Sequence, residues 1–417
     1  PVPAVVTPMR DHQRYYPVRN EDGSLMPYFL TVRNGGTKAI HNVQIGNERV
    51  LRARLDDAKF FFENDRKKSL EGHREDLTRI NYQEGMGTML DKADRLQKLS
   101  DFICDGWNLS ADEKADAERA AYLSKSDLAT GMVTEFTELQ GEMGKEYALL
   151  DGEKKNVAQA IFEQYMPRFA SDILPQESIG RVLSMADKLD NLAATFLRGL
   201  IPTGSQDPFA LRRQTIGAVN ILTDGGIHWD IREGIRKALE LLPGEKEAKE
   251  TALGQIEEFF RQRIKAIMLD EGIAYDIIDA VLAGPVDDIE ALFLKARAMA
   301  ESQLKDETDL RQAVTRLANI TKDKEGGAVD PSLFEVEYEK NLQAALDEVK
   351  AEVLPLYKEY QYGKALASLK KLTAPINDYL DNVMVMVDDE KVKANRVSQL
   401  ISALDLFRAW GDFSKLV

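Results

Sequence analysis

The chain has 417 residues, of which 44% are hydrophobic and 30% are charged, and its formal net charge is -15. This composition predicts a soluble, helix-rich protein of about two to four domains, and it argues against a general polyanion-coating protein. The single cysteine, Cys104, excludes an internal disulfide framework and cysteine-rich zinc sites, and it indicates a reducing, cytoplasmic compartment.

The first 57 residues are strand-like. We expect strands in PAVVTPM, RYYPVR, PYFLTVRN and VQIGNERV, which are short, β-branched or aromatic, and separated by turn sequences such as EDGS and NGG. The sequence begins without Met, and its first apolar stretch is too short and proline-broken for a signal peptide. We therefore expect residues 1–57 to be a small β-rich segment that remains of an N-terminal domain in a longer natural protein.

Helical periodicity dominates from about Val50 to the end, so the predicted fold class is mainly α, a multi-domain helical protein. Apolar stripes at helical spacing run over 51–62 and 82–99, and Ser110 is a plausible N-cap for the helix ADEKADAERAAYL. Gly- and Pro-containing breaks occur at GLIPTGSQDPF and at KDKEGGAVDPS. We place domains at 58–202, 203–321 and 322–417.

Signatures of catalysis are missing from this sequence. The four histidines lie far apart, and no HExxH, Cys/His zinc spacing, P-loop or GxSxG motif occurs. No apolar run approaches the roughly 18 residues that would indicate a membrane span. We therefore predict no catalytic residue, no metal site and no membrane contact for this chain.

Three segments of the middle block are similar, in order and spacing, to an HD-type phosphohydrolase domain. They are AAYLSKSDLAT at 120–130, VAQAIFEQYMPRF at 157–169 and VLSMADKLDNL at 182–192. In those enzymes a His-Asp pair follows an Ala-Ala-apolar-Leu run, and a final Asp follows an Ala on a later helix. The clustered side chains hold a divalent metal that activates water for phosphoester cleavage.

The ligand positions of that pattern are degenerate here. The His-Asp pair is replaced by Ser124 and Lys125, and only Asp187 matches a ligand position. Because the lysine ammonium would repel a cation, we predict a degenerate HD-like helical domain without hydrolase activity. An alternative interpretation makes Asp187 and Asp190 surface or capping residues of their helix.

Further segments resemble one known family along nearly the whole chain. They are LRARLDDAKFFFENDRK, YQEGMGTMLDKADRLQKL, SKSDLATGMVTEFTELQGEMGKEYA, ADKLDNL, LIPTGSQDPFALRRQTIG, DNVMVMVDDEKVKANRVSQLISAL and DFSKL. Together they are similar to the β subunit of bacterial glycyl-tRNA synthetase, and LQGEMG and PTGSQDPFALRR are the most specific. The resemblance runs from about Gln13 to the last residue.

This resemblance implies a role and partners. The family's enzyme is a heterotetramer of two α and two β subunits, in which the α subunit carries the class II adenylation site and uses ATP and Mg. The β subunit binds tRNA-Gly and ends in a DALR-type anticodon-binding helical domain, which the last third of this chain resembles. The family's longer N-terminal portion is absent here, so assembly with the α subunit stays open. Residues 203–321 would be a helical lead-in to the anticodon-binding domain.

Candidate tRNA contacts are basic and amide side chains at helical spacing, because phosphates attract Arg and Lys and unstacked bases are read by Arg and Asn. The acidic balance does not exclude them, since a local basic face is sufficient. The candidates are Arg212, Arg213, Arg316, Asn319, Lys322, Lys393, Asn395 and Arg396. Arg396 is the first choice because the family's motif has Asn-Arg there; a structural pairing with Asp388 or Asp389 is the alternative.

The sequence thus predicts the noncatalytic tRNA-Gly-binding part of the β subunit, which supports glycine attachment by the α subunit without a cofactor of its own. Two other interpretations remain. One is a metal-dependent HD-type phosphohydrolase, and the other is a structural scaffold for subunit assembly.

Overall fold

A computed structural model describes residues 1–169, 171–204, 206–302 and 308–416. The described chain is mainly helical, with one small sheet of two strands, so the predicted fold class is confirmed. It divides into two compact units: unit 1 is Pro1–Ile221 with Arg232–Ile256, and unit 2 is Leu222–Ile231 with Glu257–Val417. Among the described residues, no helix is both long and apolar enough to cross a membrane.

The helices that lie wholly or partly in unit 1 are numbered in chain order. They are α1 (Val2–Thr7), α2 (Ile40–Asp65), α3 (Leu70–His73), α4 (Met89–Gly106), α5 (Ala111–Leu123), α6 (Gly131–Glu135), α7 (Glu142–Leu150), α8 (Lys155–Glu163), α9 (Ser178–Leu197), α10 (Leu211–Gly225), α11 (Ile231–Glu240) and α12 (Lys246–Asp270). The remaining helices belong to unit 2. They are α13 (Tyr275–Val281), α14 (Ile289–Glu301), α15 (Thr308–Thr321), α16 (Glu337–Lys358), α17 (Tyr362–Leu369), α18 (Thr373–Asn382) and α19 (Glu390–Arg408).

The N-terminal segment is only partly β-structure. Strands β1 (Tyr16–Arg19) and β2 (Leu25–Leu30) pair antiparallel, as two of the four expected strands. The expectation was wrong for PAVVTPM and VQIGNERV, which are helical in α1 and α2. Met9 of the first segment packs with Tyr15 and Leu51 in a small buried cluster. Residues 43–50 are mostly exposed, and they are helical as the first part of the long helix α2, whose buried positions begin at Leu51.

The core of unit 1 is built by α4, α5, α8 and α9, which contact one another. Helix α9 is buried along most of its length, and its buried residues include the polar Ser184, Asp187, Lys188 and Asp190 as well as apolar side chains. Capping boxes begin α4 at Thr88 and α5 at Ser110, which confirms the predicted Ser110 cap. The apolar stripe from residue 82 becomes helical only at Met89, because Gly85 and Gly87 before it adopt positive φ angles.

The core of unit 2 is a helical bundle. Helix α16 contacts α17, α18 and α19, and α15 contacts α18 and α19. Leu342, Leu346, Val349 and Val353 of α16 are buried at the spacing of one helical face. The two predicted breaks separate α9 from α10 and α15 from α16, although Ser205 in the first break lies outside the described residues.

Candidate functional site

The Ser124-Lys125 pair lies where α5 ends. The Ser124 hydroxyl donates to the Ala121 carbonyl at 2.6 Å, so it serves the helix end and does not face a ligand. Lys125 follows with φ of 66°, a left-handed conformation that costs a residue with a Cβ roughly 1–2 kcal/mol. This backbone directs the lysine inward, where the residue is 2% exposed.

Asp187 of α9 forms ion pairs with two lysines. Lys92 Nζ lies 3.0 Å from its Oδ1 and Lys125 Nζ lies 3.1 Å from its Oδ2. Burial alone would raise the pKa of Asp187, but the charges of Lys125 and Lys92 hold it well below its usual value. Ammonium groups therefore occupy both carboxylate oxygens, and these residues do not fit a divalent cation. Among the described residues, no group of three or more His, Cys, Asp or Glu could hold a metal.

Asp190 lies almost one helical turn further along α9 and joins the same network. Its carboxylate accepts from Lys92 Nζ at 2.8 Å and from Arg95 Nε at 2.6 Å. Asp187 and Asp190 are both buried, so the interpretation of them as surface or capping residues is wrong. Sequence reasoning missed Lys92 and Arg95; their signal was two cations on the face of α4 that otherwise buries Ala93, Leu96 and Leu99.

A cavity of about 360 Å³ opens beside Asp187. Its basic lining residues are Lys92, Lys125, Arg168, Lys188 and Arg213. Lys188 Nζ donates to the Met166 carbonyl at 2.5 Å and to the Ser184 hydroxyl at 2.6 Å. Because it is buried among these neutral oxygens, the pKa of Lys188 falls to about 7.

Arg212 and Arg213 lie at the start of α10, where the Asp207 carboxylate caps the backbone N–H groups of Leu211 and Arg212. A side chain from the GLIPTGSQDPF break therefore caps the start of this helix. The Arg212 guanidinium donates to the Gly204 carbonyl at 2.6 Å. Arg213 is exposed and lines the cavity, so the two neighbours have different surroundings.

Arg396, the preferred tRNA contact, is 4% exposed and is held inside unit 2. Its guanidinium donates to Glu339 at 2.9 Å, to Glu335 at 2.8 Å and to the Met384 carbonyl at 3.0 Å. It therefore has a structural pairing, but with these glutamates and not with Asp388 or Asp389. This burial disfavours Arg396 as a reader of bases, and its contact with tRNA stays a prediction.

Asn395 is buried in the same way. Its side-chain amide accepts from the Asp330 backbone N–H at 2.7 Å and donates to the Asp330 carbonyl at 3.0 Å. This pair of hydrogen bonds holds the segment before α16 against α19. Lys393, two residues earlier, is partly exposed and pairs with Glu390 at 2.9 Å.

Arg316, Asn319 and Lys322 lie together at the C-terminal end of α15. Arg316 donates to Asp381 at 2.7 Å and keeps a partly exposed side chain. Asn319 and Lys322 are exposed and, within the described residues, form no side-chain hydrogen bond or ion pair. Of the candidates, this trio best meets the requirement of an accessible surface.

The methionines of a neighbouring segment were not foreseen. Met384 and Met386 follow α18 and are 74% and 46% exposed. Lys324 Nζ contacts Met386 Sδ at 3.5 Å, and Arg396 holds the Met384 carbonyl. Val383 and Val385, which alternate with these methionines, are buried, so every second side chain of this segment faces outwards.

Comparisons with known proteins give two family matches along the chain. Residues 310–408 match the model of the DALR anticodon binding domain, and residues 1–283 match the model of the glycyl-tRNA synthetase beta subunit. The chain is 44% identical to the glycine–tRNA ligase beta subunit of Clostridioides difficile, over 100% of this chain and 60% of that protein. It is 42% identical to those of Desulforamulus reducens and Shouchella clausii, over 100% of this chain and 61% of each.

The bundle of unit 2 therefore contains an anticodon-binding domain of the DALR class. The chain as a whole belongs to the glycyl-tRNA synthetase beta subunit family. It spans about 60% of the length of the curated relatives named here.

Proposed function

We propose that this chain is the noncatalytic tRNA-Gly-binding part of a glycyl-tRNA synthetase β subunit. It holds the tRNA while the α subunit, which uses ATP and Mg, attaches glycine in a cytoplasmic heterotetramer of two α and two β subunits. The observation that carries the proposal is the match of residues 310–408 to the DALR anticodon binding domain. Family membership and the exposed polar residues on α15 support it.

The proposed tRNA-binding surface, here called the α15 surface, consists of Arg316, Asn319, Lys322, Met384 and Met386. Lys322 contacts a phosphate, whereas Arg316 and Asn319 offer hydrogen bonds to the edges of unstacked bases. The two methionines provide polarisable apolar area against which a base can pack. The contact between Lys324 and Met386 places the methionines near the end of α15.

Arg396 takes an indirect role in this proposal. By holding the Met384 carbonyl at 3.0 Å while paired with Glu339, it fixes the segment that carries the methionines. An Asn-Arg at this position thus positions the surface and does not itself contact RNA. The HD-type phosphohydrolase alternative is disfavoured because Lys92 and Lys125 occupy the Asp187 carboxylate.

The test is a filter-binding titration of the 417-residue chain with tRNA-Gly over a series of salt concentrations. Lys322→Gln is expected to weaken binding and to reduce the salt slope by about one ion, as loss of one phosphate contact does. Arg316→Gln is expected to cost about 1–3 kcal/mol, and less on a tRNA with an altered anticodon. The matched controls are Lys340→Gln and Arg408→Gln, which change exposed cations that pair with Glu337 and Asp405.

The outcomes separate the interpretations. If the α15 variants bind as the controls do while the wild-type chain binds tRNA-Gly, the α15 surface is wrong. If the wild-type chain does not bind tRNA-Gly at any salt concentration, the proposal for this chain fails and a scaffold for subunit assembly is favoured.

A further inference from the structure

Positive charge dominates the cavity beside Asp187 in unit 1. Its volume is about 360 Å³, and Asp187 is the only acidic side chain among the lining residues that the structure describes, against five basic ones. Two of the cations have carboxylate partners outside the lining: Lys92 pairs with Asp190 at 2.8 Å, and Arg168 pairs with Asp172 at 2.8 Å. The charge balance of the cavity therefore depends on the other three cations.

Those three cations are Lys125, Lys188 and Arg213, and among the described residues Asp187 is the one carboxylate that forms an ion pair with any of them. The buried Asp127 also acts on Lys125, but burial raises the pKa of Asp127. Asp187 pairs with Lys125 at 3.1 Å. Lys188 donates only to the neutral oxygens of Met166 and Ser184, and Arg213 has no ion pair in the part of the chain that the structure describes. Within the described residues, Lys188 and Arg213 thus form no ion pair of their own, although the charge of Asp187 acts on Lys188.

Lys125 also has hydrogen-bond donors to spare. A lysine ammonium carries three donors. Lys92, equally buried, donates hydrogen bonds to Asp190 and Asn191 and also forms an ion pair with Asp187. Lys125 has one described oxygen partner and otherwise faces the Tyr165 ring at 4.0 Å. Leaving buried donors unfilled is costly, so this ammonium is prepared for a further acceptor.

We propose that this cavity binds the phosphate group of a small molecule, as inorganic phosphate or a phosphate monoester, through Lys125, Lys188 and Arg213. A phosphate anion supplies the negative charge that Arg213 and the protonated form of Lys188 lack, and it offers enough oxygen acceptors for all three side chains. The volume lies within the range of small-molecule sites, roughly 300–1,000 Å³. Because ammonium groups occupy Asp187, the phosphate is bound without being cleaved.

The depth of the site favours a small molecule over a nucleic-acid backbone. Lys125 and Lys188 lie beneath the surface, at 2% and 4% exposure, and Arg213 alone stands exposed at the rim. A phosphate in a polymer would have to leave the surface of its strand to reach both lysines. A free phosphate or a terminal monoester can enter past Arg213.

The experiment is isothermal titration calorimetry of the 417-residue chain with inorganic phosphate and, separately, with AMP. Arg213→Gln is expected to weaken binding at least about tenfold, as loss of one charge-assisted hydrogen bond does. Lys125→Met should abolish it. Arg212→Gln is the matched control, because Arg212 is the next residue of the same helix, donates to Gly204 and does not line the cavity.

Each outcome decides the proposal. Equal affinities for the two probes identify free phosphate as the ligand, and tighter binding of intact AMP identifies a nucleotide monoester. Absence of binding by the wild-type chain overturns the proposal, as does equal binding by Arg213→Gln, whose exposed side chain is not needed for folding. If Arg213→Gln weakens tRNA-Gly binding and leaves phosphate binding unchanged, the cavity belongs to an RNA surface and the proposal is wrong.

Discussion

The ion pair between Arg396 and Glu339 is expected to contribute strongly to the stability of unit 2. Glu339 is 0% exposed, and it accepts from Arg396 Nε and from the backbone N–H groups of Glu335 and Val336. Arg396→Met removes one partner and leaves a buried carboxylate, which costs about 3–5 kcal/mol in comparable pairs. The two backbone donors that remain on Glu339 place the expected loss near the lower end, at about 3 kcal/mol.

The loss of stability should depend on how deeply each glutamate is buried and not on the number of glutamates that pair with Arg396. Glu335 also pairs with Arg396, at 2.8 Å, but its side chain is 61% exposed. Glu335→Gln should therefore cost no more than about 1 kcal/mol. The double variant Arg396→Met with Glu339→Leu leaves no buried unpaired charge and should recover part of the loss. Together with the single variant Glu339→Leu, it gives the coupling between the two residues.

The assay is urea-dependent hydrogen exchange measured by mass spectrometry on peptides of α16 and α19. Exchange reports the opening of these two helices separately from unfolding elsewhere in the chain. The reasoning is refuted if Arg396→Met and Glu335→Gln lower the opening free energy equally, or if Arg396→Met costs less than about 1 kcal/mol.

Three further predictions concern stability, each measured by thermal unfolding. Asp190→Asn should cost about 3–5 kcal/mol of stability at pH 7. Lys92 and Arg95 hold the pKa of Asp190 low against the effect of burial, so the wild type loses this advantage as the pH falls below about 4. The stability of the variant should therefore fall less steeply with decreasing pH in the acid range. Lys188→Met should be more stable than the wild type by on the order of 3 kcal/mol at pH 6. Burial lowers the pKa of Lys188 to about 7, so wild-type stability rises between pH 7 and about 10.5 and the difference disappears over that range. A difference in stability that stays constant with pH would contradict this reasoning. Gly411→Ala should cost about 1–3 kcal/mol because its Cβ would lie 2.7 Å from the Ala280 carbonyl oxygen, while the control Gly363→Ala, with open space around it in α17, should gain about 0.5–1 kcal/mol.

Most of the fold that could be predicted came from helical periodicity, because a long apolar stripe at helical spacing forms one buried face only as a helix. Short segments did not have this property. PAVVTPM and VQIGNERV favour strands by local propensity, yet they are helical. Met9 of the first packs in a buried cluster with Leu51, and the second continues into the long helix α2. The capping signal at Ser110 was local and therefore readable in the sequence.

The sequence indicated which residues of the candidate sites are unusual, but it did not indicate which residues they contact. Lys125 was singled out as the residue that replaces a metal ligand, and the structure places its ammonium on Asp187. The partners Lys92 and Arg95 come from another helix, and no local pattern links them to α9. Arg396 was recognised as a special position, but its burial depends on Glu339 of α16, which lies far away in the sequence.

The left-handed backbone at Lys125 has an evolutionary consequence. At a φ of 66°, glycine or asparagine would be free of much of the strain that lysine bears. Relief of this strain favours glycine or asparagine at this position, and the ion pair of the buried lysine with Asp187 opposes the replacement. The residue that relatives carry at this position is thus a historical record, since lineages that stopped using the cation would have been the first to lose the lysine.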